Sequence, residues 1–341
     1  MEKGVKKAIL WKKLDNKNVE CFACNFRCRI SEGQAGVCLV RKNVKGTLYS
    51  LVYGSVVSKN IDPVEKKPLF HFYPGIKAYS IGTVGCNFRC LFCQNYDISQ
   101  YVRDGGFIIG KEMTPKQVVE EAKKYGCESI AYTYNEPAIF VEFVVDTAKL
   151  AKKAGLKNIY VTNGYETKEA LEKIRGLVDA MNIDLKSFDK NFYMKVCGAV
   201  DAGKVLETIA NAHKMGFWIE ITTLVIPGQN DSDENLRKIA KFISDLDKSI
   251  PWHISRFFPM YKMDKTQPTP IETLLKAYKI GTEFGLKYIY IGNVHKEEYE
   301  NTFCPKCSKL VIERNWAAGE IRNLMKKDKC SNCGEKIAGI F

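Results

Sequence analysis

Between about residues 77 and 296, short apolar segments rich in β-branched and aromatic residues alternate with longer segments of helical period. The apolar segments predict seven strands, namely AYSIGTV, SIAYTY, NIYVTN, AMNIDLK, WIEITTLVI, WHISRFF and YIYIGN. Strands that alternate with helices in this way pair in parallel through right-handed crossovers. The pattern therefore predicts an α/β fold, a full or partial (β/α) barrel. A doubly wound open sheet is the alternative, although no GxGxxG follows the first strand.

Two of the predicted helices begin with similar sequences, TPKQ from Thr114 and TPIE from Thr269. A Thr hydroxyl can accept a hydrogen bond from the third backbone amide of a helix, whose Gln or Glu side chain caps in return. We expect this capping box at both helix starts.

Polar residues follow the predicted strands where each strand ends. A barrel fold carries its chemistry at the carboxyl ends of its strands. The candidates at these positions are Cys86, Asn135, Glu136, Asn163, Asp184 and Lys186.

The two ends of the chain lack this alternation, and each contains a group of cysteines. We expect a Cys-rich module over residues 1–76, the barrel over residues 77–296 and a zinc-ribbon-like module over residues 297–341. Most of the 13 cysteines lie in CxxC-type groups, which in a reducing cytosol indicates metal binding rather than disulfides.

Charge and hydropathy exclude several classes of protein. The chain has 52 Lys and Arg against 39 Asp and Glu, a net charge of +13, but Lys and Glu are interspersed on the predicted helices as on a solvated surface. No uniform basic stripe with aromatic residues favours nucleic-acid binding. No apolar segment approaches the roughly 18 to 20 residues of a membrane span, and the first residues do not resemble a secretory signal. We expect a cytoplasmic protein.

The segment GCNFRCLFCQN contains Cys86, Cys90 and Cys93 in a CxxxCxxC spacing. Thiolates are the usual ligands of iron–sulfur clusters, and three cysteines leave one iron of a four-iron cluster without a protein ligand. Three core thiols or a zinc site that lacks a fourth ligand are the alternatives, but zinc normally takes four ligands and no His is near in sequence.

This motif, with Phe92 before its third cysteine, resembles that of radical S-adenosylmethionine (SAM) enzymes. The resemblance implies that the amino and carboxylate groups of SAM chelate the fourth iron of a [4Fe-4S] cluster. It also implies that one electron from the cluster cleaves SAM to methionine and a 5′-deoxyadenosyl radical, which removes a hydrogen atom from a substrate. A reductant protein must then supply the electron.

Four further segments resemble those of pyruvate formate-lyase activating enzymes. TYNEP lies where the family has a GGEP-like segment, so Asn135 and Glu136 would hold the SAM amino group, although the family's glycines are replaced here. An ordinary acid at a helix N-terminus is the alternative for Glu136. VTNG places Asn163 near SAM, and IDLKSFD places Asp184 and Lys186 near its carboxylate, although a simple salt bridge also explains that pair. LVIPGQND would lie beside the adenine.

Over nearly the whole chain, the sequence resembles the radical SAM member of the AmmeMemoRadiSam system, through IDPVEKKPLFHFYPG, GCNFRCLFCQN, YIYIGNV and CPKC. This resemblance identifies no substrate. Three hypotheses remain: catalysis on an unidentified substrate, activation of a partner protein through a glycyl radical, and a non-enzymatic iron–sulfur and zinc-binding protein.

The remaining cysteines form two groups of four and two single residues. Cys304, Cys307, Cys330 and Cys333 have a spacing typical of a structural zinc site, with rubredoxin-like iron or redox pairs as alternatives. Cys21, Cys24, Cys28 and Cys38 are expected to bind zinc or a second cluster, with no metal as the third alternative. The polar residues between them favour zinc, because no apolar shell is visible in the sequence. Cys127 is expected to be a buried hydrophobe, and Cys197 is a candidate hydrogen donor in the cavity. His71 and His253 are weaker candidates for the site, because structural histidines are commoner.

Overall fold

The computed structural model describes residues 4–198, 200–294, 297–315, 318–321 and 328–341. The predicted boundary between residues 296 and 297 falls beside residues 295 and 296, which lie outside the described residues. The three-part division of the chain stays a prediction.

The first part of the chain forms short strands. They are β1 (Lys6–Lys7), β2 (Trp11–Lys13), β3 (Val19–Cys21), β4 (Arg29–Ile30), β5 (Arg41–Val44), β6 (Thr47–Ser50), β7 (Ser55–Val56) and β8 (Ser58–Pro63). β1, β6 and β5 form one small antiparallel sheet, and β2, β3 and β4 form another.

The central part of the chain supplies the main sheet. The strands in this part of the chain are β9 (Lys77–Gly82), β10 (Lys111–Glu112), β11 (Ser129–Tyr132), β12 (Lys157–Thr162), β13 (Ala180–Asp184), β14 (Trp218–Val225), β15 (Trp252–Arg256) and β16 (Ile289–Gly292). β10 pairs with β7, outside this sheet. The other seven strands are parallel neighbours, and β8 pairs antiparallel with β9 at one edge. Most of their residues are buried, as expected for a parallel sheet covered on both faces.

The order of the strands distinguishes the two predicted architectures. From β9 to β16, each parallel strand after the first pairs with the parallel strand that precedes it in the chain. The order therefore never reverses as it does in a doubly wound sheet. Among the described residues, no ladder joins β16 to β8. The predicted barrel is therefore confirmed in its partial form, and the doubly wound alternative is wrong.

Along the chain, the helices alternate with the strands of the sheet. They are α1 (Tyr96–Ser99), α2 (Pro115–Lys124), α3 (Val141–Lys153), α4 (Lys168–Ile174), α5 (Lys190–Lys195), α6 (Ala202–Lys214), α7 (Asp233–Leu246) and α8 (Ile271–Glu283), with 3₁₀ turns at Val64–Lys66, Pro137–Phe140, Tyr261–Met263 and Glu297–Tyr299. No helix in the described ranges is both long and apolar enough to cross a bilayer.

Only one of the two predicted capping boxes forms. At α2, Gln117 N donates to Thr114 Oγ1 over 3.2 Å, and Thr114 N donates to the Gln117 side chain over 2.8 Å. At α8 the prediction is wrong, because Pro270 occupies the cap position and makes no side-chain cap. Thr269 is buried instead, and its hydroxyl donates to Val225 O and accepts from Phe257 N. A tertiary contact has replaced the local cap.

The last part of the chain forms β17 (Thr302–Phe303), β18 (Leu310–Asn315) and β19 (Ala318–Ile321), which make a small antiparallel sheet. The buried Arg314 connects this sheet to the segment before the barrel. Its guanidinium donates to Phe70 O over 2.6 Å and lies over the Phe70 ring.

A buried ion pair attaches the first part of the chain to the barrel. The guanidinium of Arg41, on β5, donates to both carboxylate oxygens of Glu142, on α3, over 2.8 Å each. The two side chains are only 2% and 1% exposed. The Arg41 guanidinium also donates to Ile139 O. Because both charges are removed from water, each depends on the other for compensation.

We predict that Arg41→Met lowers the free energy of unfolding by about 3 to 5 kcal/mol, because it leaves the Glu142 carboxylate buried without its partner. Anaerobic urea denaturation followed by circular dichroism measures the change. The control is Lys238→Met, which removes a solvent-exposed pair with Glu234 that contributes little to stability. Equal effects of the two substitutions would contradict the prediction.

Candidate active site

The loop after β9 contains the three cysteines of the CxxxCxxC motif. Cys86 and Cys90 are buried, and Cys93 is half-buried with its sulfur 3.1 Å from Ser99 Oγ. Burial, and then the charge of Glu136, raises the pKa of Cys86 well above the ordinary value of a thiol. Burial, and then Cys90, raises the pKa of Cys93 to about 11. These thiols therefore need a cationic partner before they become thiolates.

Asn135 holds the start of this loop. Its side-chain nitrogen donates to Gly85 O over 2.8 Å and to Thr83 Oγ1 over 3.0 Å, and its oxygen accepts from Thr83 N. β9 and β11 are parallel neighbours, so the loop and Asn135 emerge at the same edge of the sheet. Asn135 thus fixes the backbone just before Cys86.

The next strand end contributes Asn163. Its Nδ2 donates to Asn87 Oδ1 over 2.7 Å and lies 4.0 Å from Cys86 Sγ. Asn163 Oδ1 and Asn87 Nδ2 are buried and have no hydrogen-bond partner within the described chain. Buried polar atoms are nearly always satisfied, so this pair marks a place where a polar ligand would complete the site.

Glu136 is 1% exposed and lies between the ends of β11 and β12. Its carboxylate accepts from Asn163 N over 2.8 Å and from Ala138 N over 3.0 Å. The Thr162 hydroxyl bridges it to Glu166. Burial, and then the charge of Glu166, raises the pKa of Glu136, so the two carboxyl groups retain a proton at higher pH than isolated acids would. These contacts give Glu136 a positioning role, and its expected contact with SAM stays a prediction.

Asp184 and Lys186 lie beside the second cysteine. Lys186 Nζ is 2.6 Å from Asp184 Oδ2 and 5.7 Å from the centre of the Phe92 ring. Burial lowers the pKa of Lys186, but the negative charge of Asp184 and its hydrogen bond to the ammonium outweigh burial and raise the pKa above its ordinary value. The ammonium group therefore stays charged next to the cysteine loop.

Cys197 is fully buried directly against Cys90. A hydrogen bond with Cys197, followed by burial, raises the pKa of the Cys90 thiol. The backbone of this segment supports the loop, since Arg89 N donates to Cys197 O over 2.9 Å and Leu91 N donates to Val196 O over 3.0 Å. Cys197 is thus placed behind the motif, beside one of its cysteines.

Three side chains that hold the loop were not predicted from the sequence. Arg103 donates to Cys86 O and Phe88 O, Gln100 also donates to Phe88 O, and Asn87 bonds to Asn163. Asn87 lies inside the motif and was open to detection there. No local sequence pattern pointed to Arg103 or Gln100, because only the folded loop brings these two residues close to the motif.

The two weaker candidates lie away from this loop. His71 and His253 contact the buried Glu220, which accepts from His71 N over 2.8 Å and lies 2.7 Å from His253 Nε2. Burial lowers the pKa of His71 to about 4. These contacts favour the structural alternative for both histidines.

Cys127 is buried as predicted. The four cysteines near the C-terminus converge, with sulfur–sulfur distances of 3.6 Å for Cys304 and Cys333 and 3.7 Å for Cys307 and Cys330. All four ligand atoms lie within 4.8 Å of one another. This confirms a Cys-rich cluster near the C-terminus, with a geometry that could hold a metal ion.

Comparison with known proteins agrees with this geometry. The family described as "Radical SAM superfamily" matches residues 80–241, which contain the cysteine loop and the strand ends around it. The uncharacterized protein MJ0808 of Methanocaldococcus jannaschii is 48% identical over 98% of this chain and 99% of its own length.

Two relatives have named activities. The putative glycyl-radical enzyme activating enzyme MJ1632 of M. jannaschii is 30% identical over 61% of this chain and 76% of its own length. Pyruvate formate-lyase 1-activating enzyme of Escherichia coli is 24% identical over 64% of this chain and 93% of its own length. The resemblance to radical SAM enzymes is confirmed, and the chain belongs to the radical SAM superfamily of enzymes, with activating enzymes of glycyl radical enzymes among its relatives.

Proposed function

We propose that this protein removes a hydrogen atom from its substrate by radical SAM chemistry, with Cys86, Cys90 and Cys93 as the ligands of a [4Fe-4S] cluster. The observation that supports this most directly is the placement of three buried or half-buried thiols at the carboxyl end of the first parallel strand. Asn163, Asp184 and Lys186 are held around them.

The spacing of the three thiols fits a cluster better than a single metal ion. Within the part of the chain that the structure describes, the C-terminal quartet is the only set of three or more metal-ligating atoms that all lie within 4.8 Å of one another. Cys86, Cys90 and Cys93 are described but are not such a set. In a four-iron cluster each thiolate binds a different iron, which holds the sulfurs further apart than around one ion.

The chain's own residues position and shield the cofactors. When bound, the cluster and SAM supply one-electron reductive cleavage and hydrogen-atom abstraction. Asn163 and Asn87 offer unsatisfied polar atoms beside Cys86, and Lys186 offers a charged donor for a carboxylate. Phe92, buried beneath Lys186, keeps water from the loop. Cys197 lies against Cys90, which favours a role in supporting the ligand over a role as hydrogen donor to a substrate.

We predict that the anaerobically reduced protein converts SAM to 5′-deoxyadenosine and that Cys90→Ala abolishes this conversion, because the cluster loses a ligand. Chromatographic quantification of 5′-deoxyadenosine measures the product. Cys127→Ala, which removes a buried cysteine outside the loop, is the matched control and should retain the activity. Product formation by Cys90→Ala at the wild-type rate would contradict the assignment.

A second candidate function is the activation of a partner protein by formation of a glycyl radical. The relative named as a putative glycyl-radical enzyme activating enzyme supports it. Deuterium transfer into 5′-deoxyadenosine separates the two candidates, since the label comes from a small metabolite in one case and from a backbone glycine in the other. The AmmeMemoRadiSam assignment and the cytoplasmic location are part of the same proposal, supported by the sequence segments that suggested them.

The reductant protein is proposed to dock beside the cysteine loop. A cavity of about 370 Å³ opens there, and its lining includes the cations Arg89, Arg103, Lys195 and Lys262. Lys262 N donates to Leu91 O, so this surface is continuous with the loop between Cys90 and Cys93. A basic surface of this kind accelerates encounter with an acidic electron-carrier protein.

We predict that the double variant Lys195→Glu, Lys262→Glu slows SAM cleavage driven by an acidic flavin or iron–sulfur carrier by about tenfold at low salt, through a lower association rate. Cleavage with dithionite as the reductant should be unchanged. The control variant Lys116→Glu, Lys241→Glu makes the same change in net charge at exposed positions that do not line the cavity. A similar loss of cleavage rate in this control variant would mean that net charge alone causes the effect, and it would contradict docking at the cavity.

We propose zinc at Cys304, Cys307, Cys330 and Cys333. A tetrahedral site with zinc–sulfur bonds of about 2.3 Å has sulfur–sulfur edges of about 3.8 Å, close to the observed 3.6 Å and 3.7 Å. Gly334 follows the last cysteine with a φ of +71°, which is the backbone turn expected after a metal-binding knuckle.

We predict that Cys304→Ser, Cys307→Ser removes one zinc ion per chain and leaves the iron content unchanged. Elemental analysis of the purified protein measures both metals. Cys127→Ser is the control for the loss of a buried thiol. If the double variant loses one iron and no zinc, the site is of the rubredoxin type instead.

A further inference from the structure

The four N-terminal cysteines gather in one place although the chain between them is irregular. Cys21 lies on β3, and its amide donates to Cys28 O over 2.9 Å. The sulfur of Cys28 lies beside Gly36, two residues before Cys38, since a Cβ on Gly36 would come within 3.4 Å of Cys28 Sγ. Cys21, Cys24 and Cys38 are buried, and Cys28 is half-buried.

These four sulfurs are not grouped as closely as the four C-terminal ones. Among the described residues, only the C-terminal cysteines form a set of three or more ligand atoms within 4.8 Å of one another. No three of the N-terminal sulfurs meet this limit, nor do Cys86, Cys90 and Cys93, whereas the edges of a tetrahedral zinc site, about 3.8 Å long, would meet it. The same chain thus contains one closely grouped set of four thiols and a second set of four that is not closely grouped.

The environment also suits a cluster. The expectation that no apolar shell surrounds these cysteines is wrong, because they belong to the main hydrophobic core together with Leu10, Val19, Ile30 and Val40. Phe26, inside the cysteine segment, packs edge-on against Phe88 and Tyr165 of the barrel. The shell was invisible in the local sequence because the barrel supplies part of it.

The quartet lies next to the motif loop. A Cβ at Gly85 would come within 3.0 Å of Cys38 O and 2.8 Å of Val40 Cγ1, so the two segments are in direct contact. Arg103 donates both to Val37 O over 2.7 Å and to Cys86 O over 3.2 Å. One guanidinium therefore joins the two cysteine-bearing loops.

We propose that Cys21, Cys24, Cys28 and Cys38 bind a second four-iron, four-sulfide cluster, with one thiolate on each iron. All four irons then have protein ligands, and none is open to SAM or a substrate. The buried guanidinium of Arg41, which interacts with Cys21 and Cys38 as well as with Glu142, offsets part of the negative charge of such a group.

Metal and sulfide analysis of the full-length, anaerobically reconstituted protein tests this proposal. We expect about eight irons and eight sulfides per chain, four of each from either cluster, together with the zinc of the C-terminal site. Cys24→Ala, Cys28→Ala should lower both counts to about four and retain an electron paramagnetic resonance signal that changes on addition of SAM.

The complementary variant, Cys86→Ala, Cys90→Ala, Cys93→Ala, leaves the quartet intact and should also retain about four irons, with a signal that does not respond to SAM. This result is independent of whether the motif loop binds a cluster, so failure of the proposed function would not be mistaken for failure of this inference. Retained zinc at the C-terminal site confirms that a variant is folded. A triple variant that contains a second zinc ion and no iron would overturn the proposal.

Discussion

Asn135 directs its side-chain hydrogen bonds to the loop of the neighbouring strand. It donates to Gly85 O and to Thr83 Oγ1, and it accepts from Thr83 N. The contact is available because β9 and β11 are parallel and end at the same edge of the sheet. Together with Arg103, which donates to Cys86 O, Asn135 fixes the backbone around Cys86 relative to the strand ends that carry Asn163 and Asp184. The placement of the thiols thus depends on the order of the strands, because that order brings Asn135 next to the cysteine loop.

A second constraint acts on the other side of the same loop. Gly85 has a φ of +88°, a conformation that favours glycine, and the backbone of Cys38 occupies the space of a side chain there. The N-terminal strands are held in this position by the buried pair of Arg41 and Glu142. The cysteine loop is therefore enclosed between the barrel edge and the N-terminal segment, which limits access of water to the thiols.

The sequence predicted the features that depend on periodicity and spacing. The seven parallel strands, the polar strand ends and the three-cysteine loop all follow from local patterns, as does the C-terminal group of four cysteines. It did not predict features that depend on distant contacts. Thr269 has a good capping sequence but bonds to Val225 and Phe257. Arg103 returns to Cys86 only through the folded loop, and the apolar surroundings of Cys24 come partly from the barrel.

The regular order of strands in the sheet has a consequence for how the chain folds. Each parallel strand pairs with its predecessor, so the sheet can grow one unit at a time as the chain is synthesised, and each addition closes only a short stretch of chain. The contact of Arg314 with Phe70 is different, because it joins residues 244 positions apart. Closing so long a loop is entropically costly. During synthesis this contact forms only after all seven parallel strands have been made, because they lie between Phe70 and Arg314 in the chain.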